Sequence, residues 1–216
     1  MSISTFAELK TALANFSDRA DLAARLGEFV ALAETRIFYG SQEAPFNSDP
    51  LRIRAMETST DLTINAQTVA LPTRYLGLRR QYISGDNGLK IDMVSPDAFW
   101  GEFSSPTYSG RPFRYTIEGE NFVFGPLPDA TYTGKLLYWQ KFAALSADGD
   151  TNWLLANAPA AYLQGALIEL YDYLKDFEAK TNAHKAFAGV INALNSADKT
   201  DRFAGSWVGT VDVYTP

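Results

Sequence analysis

The sequence contains no cysteine among its 216 residues. It therefore cannot form a disulfide framework, a cysteine-based metal site or a thiol nucleophile, and this absence fits assembly in a reducing host cytoplasm. Its single histidine, His184, is too few for a zinc site, which needs several His or Cys ligands. No apolar run approaches the ~20 residues that span a bilayer. The first ten residues have neither a basic nor an apolar segment, so no signal peptide is expected.

Basic residues are outnumbered, and the chain has a net charge of −6. This balance argues against a broad phosphate-binding surface, which usually needs a basic face. The sequence also has no Walker loop, no GxGxxG and no GxSxG motif. We therefore expect no cofactor, no nucleotide site and no catalytic triad.

The strongest helical pattern runs from Pro159 to Lys180. Pro159 suits the first turn of a helix, and Gly165 would let a second backbone come close. Apolar side chains recur there at three- and four-residue steps, at Leu163, Ala166, Leu167, Leu170, Leu174 and Phe177, with Tyr162, Ile168 and Tyr173 on the flanks. This pattern predicts a buried core helix on which both N-terminal helices pack.

Two helices are predicted before residue 50. Thr5 and Glu8 have capping-box spacing, so the first helix should begin near Phe6. The second should run to about Tyr39, where Gly40 is a suitable stop, and its candidate caps are Ser17, Asp18 and Asp21.

The middle of the chain changes to an alternating pattern that is typical of strands. Leu51 to Ala55 reads as a half-buried strand, with Arg52 and Arg54 on one face. Further strands are predicted around residues 62–64 and 69–71, in hairpins around 85–88 and 118–121, and from Tyr132 to Gln140. A short helix should follow Ser95.

These patterns predict an α+β fold in which N- and C-terminal helices form one bundle and an antiparallel β region is inserted between them. The predicted divisions are helices over 1–50, the β domain over 51–142, helices over 143–197 and an extended C-terminal arm over 198–216. The arm carries large apolar residues at a chain end: Trp207, Val208, Val211, Val213 and Tyr214. Either it folds back on its own domain, or it docks on another subunit or partner.

Few residues suggest chemistry. His184 lies on a predicted helix, where a lone histidine is most often a packed or surface residue. Glu118 and Glu120 flank a hairpin glycine and could form a carboxylate pair of the kind that hydrolyses glycosides, although the hairpin explains them adequately. Arg79 and Arg80 in a predicted strand, like the Arg52 and Arg54 pair, read better as a solvated strand face than as a nucleic-acid site.

Seven segments taken in order resemble the head-to-tail adaptor, or connector, proteins of tailed bacteriophages, particularly the short-tailed type. The resemblance covers residues 5–180, and no single motif in it is specific. The segments are EFVALAETRI (Glu28–Ile37), RAMET (Arg54–Thr58), VALPTRYLGLRR (Val69–Arg80), SPDAFW (Ser95–Trp100), YTIEGENFVFGP (Tyr115–Pro126), LLYWQKFAALS (Leu136–Ser146) and NWLLANAPAAYLQGALIELYDYLKD (Asn152–Asp176).

The resemblance implies a virion protein of the neck that forms a ring, usually of twelve copies, between the portal and the tail or nozzle. Such a ring leaves a channel for genome ejection, through which DNA passes without sequence-specific binding. The resemblance also implies no catalytic residues and no cofactor, and it favours docking of the arm on a partner. Two alternatives stay open: a glycan- or receptor-binding module that uses Trp100 and Trp139, and a hydrolase that uses Glu118 or Glu120.

Overall fold

A computed structural model describes residues 3–43, 47–83, 90–104 and 108–203, with side chains described up to residue 200. The fold class is α+β, as predicted. The chain divides into two compact units. We call residues 1–55 and 142–216 the helical unit and residues 56–141 the β unit.

The elements follow the chain in this order. The helices are α1 (Phe6–Ser17), α2 (Leu26–Tyr39), α3 (Pro96–Glu102), α4 (Trp153–Asn157), α5 (Pro159–Leu174) and α6 (Phe177–Phe203). The strands are β1 (Glu57–Ile64), β2 (Thr68–Ala70), β3 (Tyr75–Ile83), β4 (Asp92–Met93), β5 (Ser109–Gly110), β6 (Arg114–Glu118), β7 (Asn121–Gly125), β8 (Leu127–Pro128) and β9 (Tyr132–Gln140). Among the described residues, no helix is both long and apolar enough to cross a membrane.

Local signals set the ends of the N-terminal helices. The Glu8 backbone N–H donates to Thr5 Oγ1 at 3.3 Å, and the Thr5 N–H donates to the Glu8 carboxylate at 3.2 Å, which confirms the capping box. Gly40 ends α2 with φ +77°, where a side chain would meet the Ser48 carbonyl oxygen. The prediction for the start of α2 was wrong. A 3-10 helix (Ala20–Arg25) precedes α2, and no side chain caps it.

Helix α5 is the centre of the helical unit, as its pattern predicts. It contacts α1, α2, α4 and α6. A Cβ added at Gly165 would lie 3.0 Å from the Ala33 Cβ and 3.2 Å from the Phe187 ring, so α2 and α6 both approach this position closely. Its buried side chains cover more than one face, as in a helix surrounded by others: Ala161, Tyr162, Leu163, Ala166, Leu167, Ile168 and Leu170.

The predicted helix over 159–180 is two helices. Lys175 adopts a left-handed conformation (φ 62°) that ends α5. Asp176 then starts α6 by accepting a hydrogen bond from the Ala179 N–H at 3.0 Å. Phe177, predicted to be buried, is consequently 66% exposed. Helix α6 ends at Phe203, so residues 198–203 are helical and not part of an extended arm.

The β unit contains small sheets. One has the order β1-β9-β3 and is antiparallel, and a second has the order β2-β7-β6-β4, in which β4 runs parallel to β6. The short strands β5 and β8 pair in parallel. The main core includes Ile64, Ile83, Phe122, Phe124 and Leu136, and a second cluster joins Phe99, Phe103 and Val123.

Several strand predictions hold. Strand β9 has the predicted bounds, β6 and β7 form the predicted hairpin, and α3 follows Ser95. The predicted strands around residues 62–64 and 69–71 both exist, but they belong to different sheets. The predicted turn at residues 85–88 lies outside the described residues.

The strand predicted over Leu51–Ala55 was wrong. The backbone N–H groups of Arg52 and Arg54 donate to side chains of α6, to Asn195 Oδ1 at 2.9 Å and to Asp198 Oδ1 at 2.7 Å. These bonds replace strand pairing, and a 3-10 turn (Arg54–Met56) follows. The alternation of apolar residues here reflects burial of Leu51 and Ile53 without a sheet.

Candidate interaction surfaces

The residues predicted to contact a partner, Trp207, Val208, Val211, Val213 and Tyr214, lie outside the part of the chain that the structure describes. Among the apolar surfaces of the described residues are two that contain a partly exposed tryptophan, one in each unit. Large exposed apolar surfaces on a protein commonly mark sites of interaction with other macromolecules. Each surface is therefore considered as a candidate.

The first surface is a groove of about 400 Å³ in the helical unit, which we call the C-terminal groove. We call residues 53–55 the first wall and the start of α4 the second wall. Residues 194–198 of α6 complete the lining. It is lined by Ile53, Arg54, Ala55, Trp153, Leu194, Ala197 and Asp198. Most of these side chains are apolar, so the groove is suited to an apolar ligand group.

Side chains of α6 hold the first wall in place. Asn195 accepts from the Arg52 N–H and donates to the Pro50 carbonyl at 3.2 Å, and Asp198 accepts from the Arg54 N–H. The segment has no sheet partner, so these bonds satisfy its backbone. Residues 50–54 are thus attached to α6 at three points, and this wall of the groove is preformed.

Trp153 forms the second wall. Asn152 caps α4 by accepting from the Leu155 N–H at 3.0 Å, which places Trp153 at the first helical position. The Trp153 ring stacks on Phe142 with centroids 6.0 Å apart and an interplanar angle of 16°. It still leaves 42% of its surface exposed. An indole that is oriented by stacking and remains partly exposed is suited to packing against another apolar group.

The second surface is an aromatic patch in the β unit, made of Phe99, Trp100, Phe103, Tyr108 and Phe113. Phe99 and Phe103 are buried and form its base, with ring centroids 5.0 Å apart. The other three rings are between 42% and 54% exposed. Tyr108 stacks on Phe103 at 6.1 Å, Phe113 meets Phe103 edge-on at 5.7 Å, and Trp100 meets Phe99 edge-on at 5.2 Å.

Two contacts fix the patch. A Cβ at Gly125 would come within 2.6 Å of Phe103 and 2.8 Å of Phe99, so only glycine allows this packing. The Trp100 Nε1–H donates to Glu118 Oε1 at 2.5 Å. Glu118, a candidate for hydrolysis, is therefore engaged in orienting an aromatic ring, while Glu120 is exposed in the β6–β7 turn.

Trp139, the other residue considered for glycan stacking, is half-buried in β9. The Arg79 guanidinium lies 4.8 Å from the centre of its ring and also pairs with Glu57. The side chain that would have to serve as a glycan platform is thus covered by an arginine. This arrangement favours a structural role for Trp139.

The predicted basic pairs are also engaged within the chain. The Arg52 guanidinium donates to the carbonyls of Phe38 and Leu51, and burial lowers its pKa. Arg80 lies over the Tyr82 ring at 5.0 Å. Together with Arg79, these residues lie in separate local contacts and do not form one phosphate-binding face.

A half-buried ion network joins α2, α5 and α6. Arg36 pairs with Glu169 and, at 3.0 Å, with Glu43. Lys180 pairs with Glu43 at 2.6 Å and with Asp172 at 3.0 Å. The hydrogen bond from Lys180 is the main reason that the pKa of Glu43 is lowered, and the reciprocal bond raises the pKa of Lys180. The network ties the loop after α2 to the helices.

His184 lies beside this network and is only 3% exposed. Burial is the main cause that lowers its pKa, so it is neutral near pH 7. It is a packed helical histidine, as the sequence indicates. Within the described residues, no group of three or more His, Asp or Glu side chains could hold a metal ion.

The sequence pointed to Trp100 of the aromatic patch, as a glycan platform, but it predicted neither the rest of the patch nor the C-terminal groove. The aromatic patch has a signal that could have been used, because five aromatic residues occur within the fifteen positions from Phe99 to Phe113. The C-terminal groove has none, since its walls are more than 90 residues apart in sequence and meet through Asn195 and Asp198.

The family described as SU10 adaptor protein matches residues 4–211, nearly the whole chain. No curated protein is significantly similar to the chain.

Proposed function

The chain belongs to the SU10 adaptor protein family, a family of structural adaptors of bacteriophages, and from this premise we propose that it is a head-to-tail adaptor of the virion neck. In this role, copies of the chain form a ring, of twelve subunits, between the portal and the tail or nozzle of a short-tailed phage. The ring leaves a channel through which the genome is ejected.

The observation that carries this proposal is the extent of the family match, which runs from residue 4 to residue 211 and so includes both units. A match confined to one unit would have left the other to supply a separate function. The ordered set of segments that resembles adaptors also spans both units. The proposal therefore concerns the whole chain.

The surface features support an assembly role. Each unit exposes an apolar surface, the C-terminal groove in one and the aromatic patch in the other. Subunits that contact each other through two different surfaces form heterologous interfaces, and such interfaces close into rings when the rotation allows it. The net charge of −6 is compatible with a channel that repels phosphates and lets DNA slide.

We further propose that the C-terminal residues Trp207, Val208, Val211, Val213 and Tyr214 contact a partner in the assembled neck. Five large apolar side chains within eight residues, with one charged residue among them, would bury well against another protein. No membrane and no cofactor enters this role, and we propose that the chain catalyses no reaction.

The position in the virion can be tested directly. Particles are opened gently, the portal is captured by an affinity tag, and the associated proteins are identified by mass spectrometry. We expect this chain to be recovered with the portal and with a tail protein. Recovery with the capsid shell alone, or with detached tail fibres, would contradict the proposal.

The role of the C-terminal segment is tested by ending the chain after Ala204. We expect the truncated chain to fold but to fail in assembly, so that phage carrying it yields no infectious particles. Thr210→Ala is the matched control, because it changes a small polar residue in the same segment, and it should assemble normally. If the truncated chain still gives infectious particles, the segment has no role in assembly.

The hydrolase alternative predicts that Glu118 and Glu120 are needed for infection. In the adaptor proposal neither carboxylate takes part in a reaction. The double variant Glu118→Gln, Glu120→Gln should therefore support normal particle assembly and infectivity. A variant that assembles normally but cannot infect would favour the hydrolase.

A further inference from the structure

We propose that, in the unassembled chain, the C-terminal segment folds back and inserts Trp207 into the C-terminal groove of its own subunit. The inference concerns the chain before it meets any partner, and only the later release of the segment to a partner rests on the proposed function. It rests on the shape of the groove, on the point where α6 ends and on the composition of residues 204–216.

The groove is a preformed receptor for one large apolar side chain. Its volume of about 400 Å³ lies within the range of binding pockets, roughly 300–1,000 Å³. The wall formed by residues 53–55 is attached to α6, and the Trp153 ring is oriented by Phe142. A receptor whose walls are already fixed loses little conformational entropy on binding.

The chain can reach the groove from the end of α6. Phe203 is six residues beyond Ala197, which corresponds to about 9 Å along the helix axis at 1.5 Å per residue. Trp207 is four residues beyond Phe203, and an extended chain of that length spans about 13 Å. The intervening Ala204, Gly205 and Ser206 are small, and glycine permits a tight reversal. Trp207 can therefore return to the level of Ala197.

The composition of the segment matches the groove. Among residues 204–216, Asp212 is the one charged residue, and the first large apolar side chains are Trp207 and Val208. If these residues were exposed to water, they would favour association between copies of the chain before the neck is assembled. An indole has both the size and the partly polar edge that suit a groove lined mainly by apolar side chains, together with Arg54 and Asp198.

In dilute solution, the groove binds the C-terminal segment of its own copy in preference to the segment of another copy. A group attached by a short linker has an effective concentration in the millimolar range, far above the micromolar concentration of other copies in a dilute solution. In an assembly, where neighbouring surfaces are equally close, this advantage disappears. The contact would thus keep the chain monomeric before assembly. In the assembly, the groove would release the segment to a partner.

Disulfide trapping tests the contact, since the natural chain has no cysteine and introduced pairs are its sole thiols. The test pair is Ala197→Cys with Val208→Cys. The control pair is Lys199→Cys with Val208→Cys, because Lys199 is exposed, closer in sequence and on the opposite side of α6. At low micromolar concentration, we expect the test pair to form an intramolecular disulfide at least about tenfold faster than the control pair.

Adding Trp207→Ala to the test pair should slow its oxidation to the rate of the control pair, since the indole anchors the segment. Equal rates for the two pairs, or a test pair that does not respond to this change, would overturn the proposal. A mixture of the two single-cysteine chains reports on exchange between copies. If linked dimers form as fast as the intramolecular bond, the occupant is a neighbour's segment and the proposal is wrong.

Hydrogen exchange on the cysteine-free chain gives a second readout that does not depend on introduced thiols. Trp153→Ala removes one wall of the groove, and Trp100→Ala is the matched control because both indoles are 42% exposed. We expect amides of residues 204–216 to exchange faster in Trp153→Ala and to be unchanged in Trp100→Ala. Identical exchange in both variants and in the natural chain would contradict the inference.

Discussion

In the helical unit one helix, α5, contacts four other helices, whereas in the β unit aliphatic and aromatic side chains from several strands share the core. Tyr162, Leu167 and Leu170 of α5 are all buried, and four other helices contact this helix. The β core instead joins Tyr75, Tyr115 and Phe122, which meet edge-on at 5.8–5.9 Å. The helical unit therefore depends on one central element, whereas the core of the β unit is shared among several strands.

The two units also treat charge differently. The helical unit buries part of an ion network, in which the side chains of Arg36, Glu169 and Lys180 are each less than a fifth exposed. In the β unit, the Lys135–Asp61 pair lies across strands with more than a third of each side chain exposed. Partly buried charges are costly to leave unpaired and exposed ones are not. The Arg36 and Lys180 network should thus contribute more to stability than the Lys135–Asp61 pair does.

The largest expected effect comes from removing a core ring in either unit. Phe187 and Phe122 are both fully buried, and replacing either with alanine should cost about 3–5 kcal/mol. Hydrogen exchange should show that Phe187→Ala lowers protection in α2, α5 and α6, while Phe122→Ala lowers it in β6, β7 and β9. If each variant lowered protection equally in both units, the comparison of two separate cores would fail.

Two glycines of the helical unit test how tightly α5 is surrounded. Gly165→Ala would place a Cβ 3.0 Å from Ala33 and 3.2 Å from Phe187, whereas a Cβ at Gly189 meets nothing within 4 Å. Because alanine favours a helix by about 1 kcal/mol over glycine, Gly189→Ala should stabilise the protein. Gly165→Ala should destabilise it by roughly 1 kcal/mol through overpacking.

Urea unfolding of both glycine variants measures this difference of about 2 kcal/mol. Equal stabilisation by the two substitutions would mean that α5 has room on the side of α2 and α6, and it would remove the claim that the helical unit depends on close packing at Gly165.

Neutralising one carboxylate in each unit tests the contrast in charge. Glu169→Gln removes the charge of one of the two carboxylates that pair with Arg36 in a half-buried setting and should cost about 1–2 kcal/mol. Asp61→Asn acts on an exposed pair and should cost less than about 0.5 kcal/mol. The same urea measurement serves both variants. A larger loss for Asp61→Asn would reverse the comparison.

The smallest effect is a dependence on pH. Burial lowers the pKa of His184 below its ordinary value of 6.5, so the unfolded chain takes up a proton at a higher pH than the folded chain does. Stability from this group is present above about pH 6.5 and decreases as the pH falls toward the folded pKa, by at most about 1.4 kcal/mol per pH unit.

His184 is the single histidine, and histidine is the only type of side chain whose ordinary pKa lies in this window. Thermal unfolding between pH 7.5 and about 5.5 should show a falling midpoint in the natural chain and a flatter one in His184→Gln. An identical slope in both proteins would mean that His184 keeps its ordinary pKa in the folded chain.

Sequence reasoning succeeded where the signal is local. The capping box at Thr5 and Glu8, the stop at Gly40 and the bounds of β9 each depend on neighbouring residues. It failed where a distant side chain decides the backbone. Residues 51–55 alternate like a strand, but Asn195 and Asp198 satisfy their N–H groups from α6. The break at Lys175 depends on a left-handed residue that has no sequence mark.

The candidate surfaces follow the same division. The density of aromatic residues between Phe99 and Phe113 could have indicated the patch, although the glycine that allows its packing, Gly125, comes from another strand. The C-terminal groove joins residues from three distant segments, and pairing of this kind cannot be read from periodicity. The resemblance to phage adaptors, by contrast, is carried by ordered segments within residues 5–180 and was accessible from the sequence, and the family match over residues 4–211 agrees with it.

The most direct test of the account is the mass of the purified chain measured alone and after addition of the portal protein, by native mass spectrometry. The account predicts a defined complex in which one portal assembly binds the full set of copies of the chain that make up one ring. A chain that keeps its own mass and leaves the portal unchanged at every ratio would contradict the claim that it is a ring-forming adaptor.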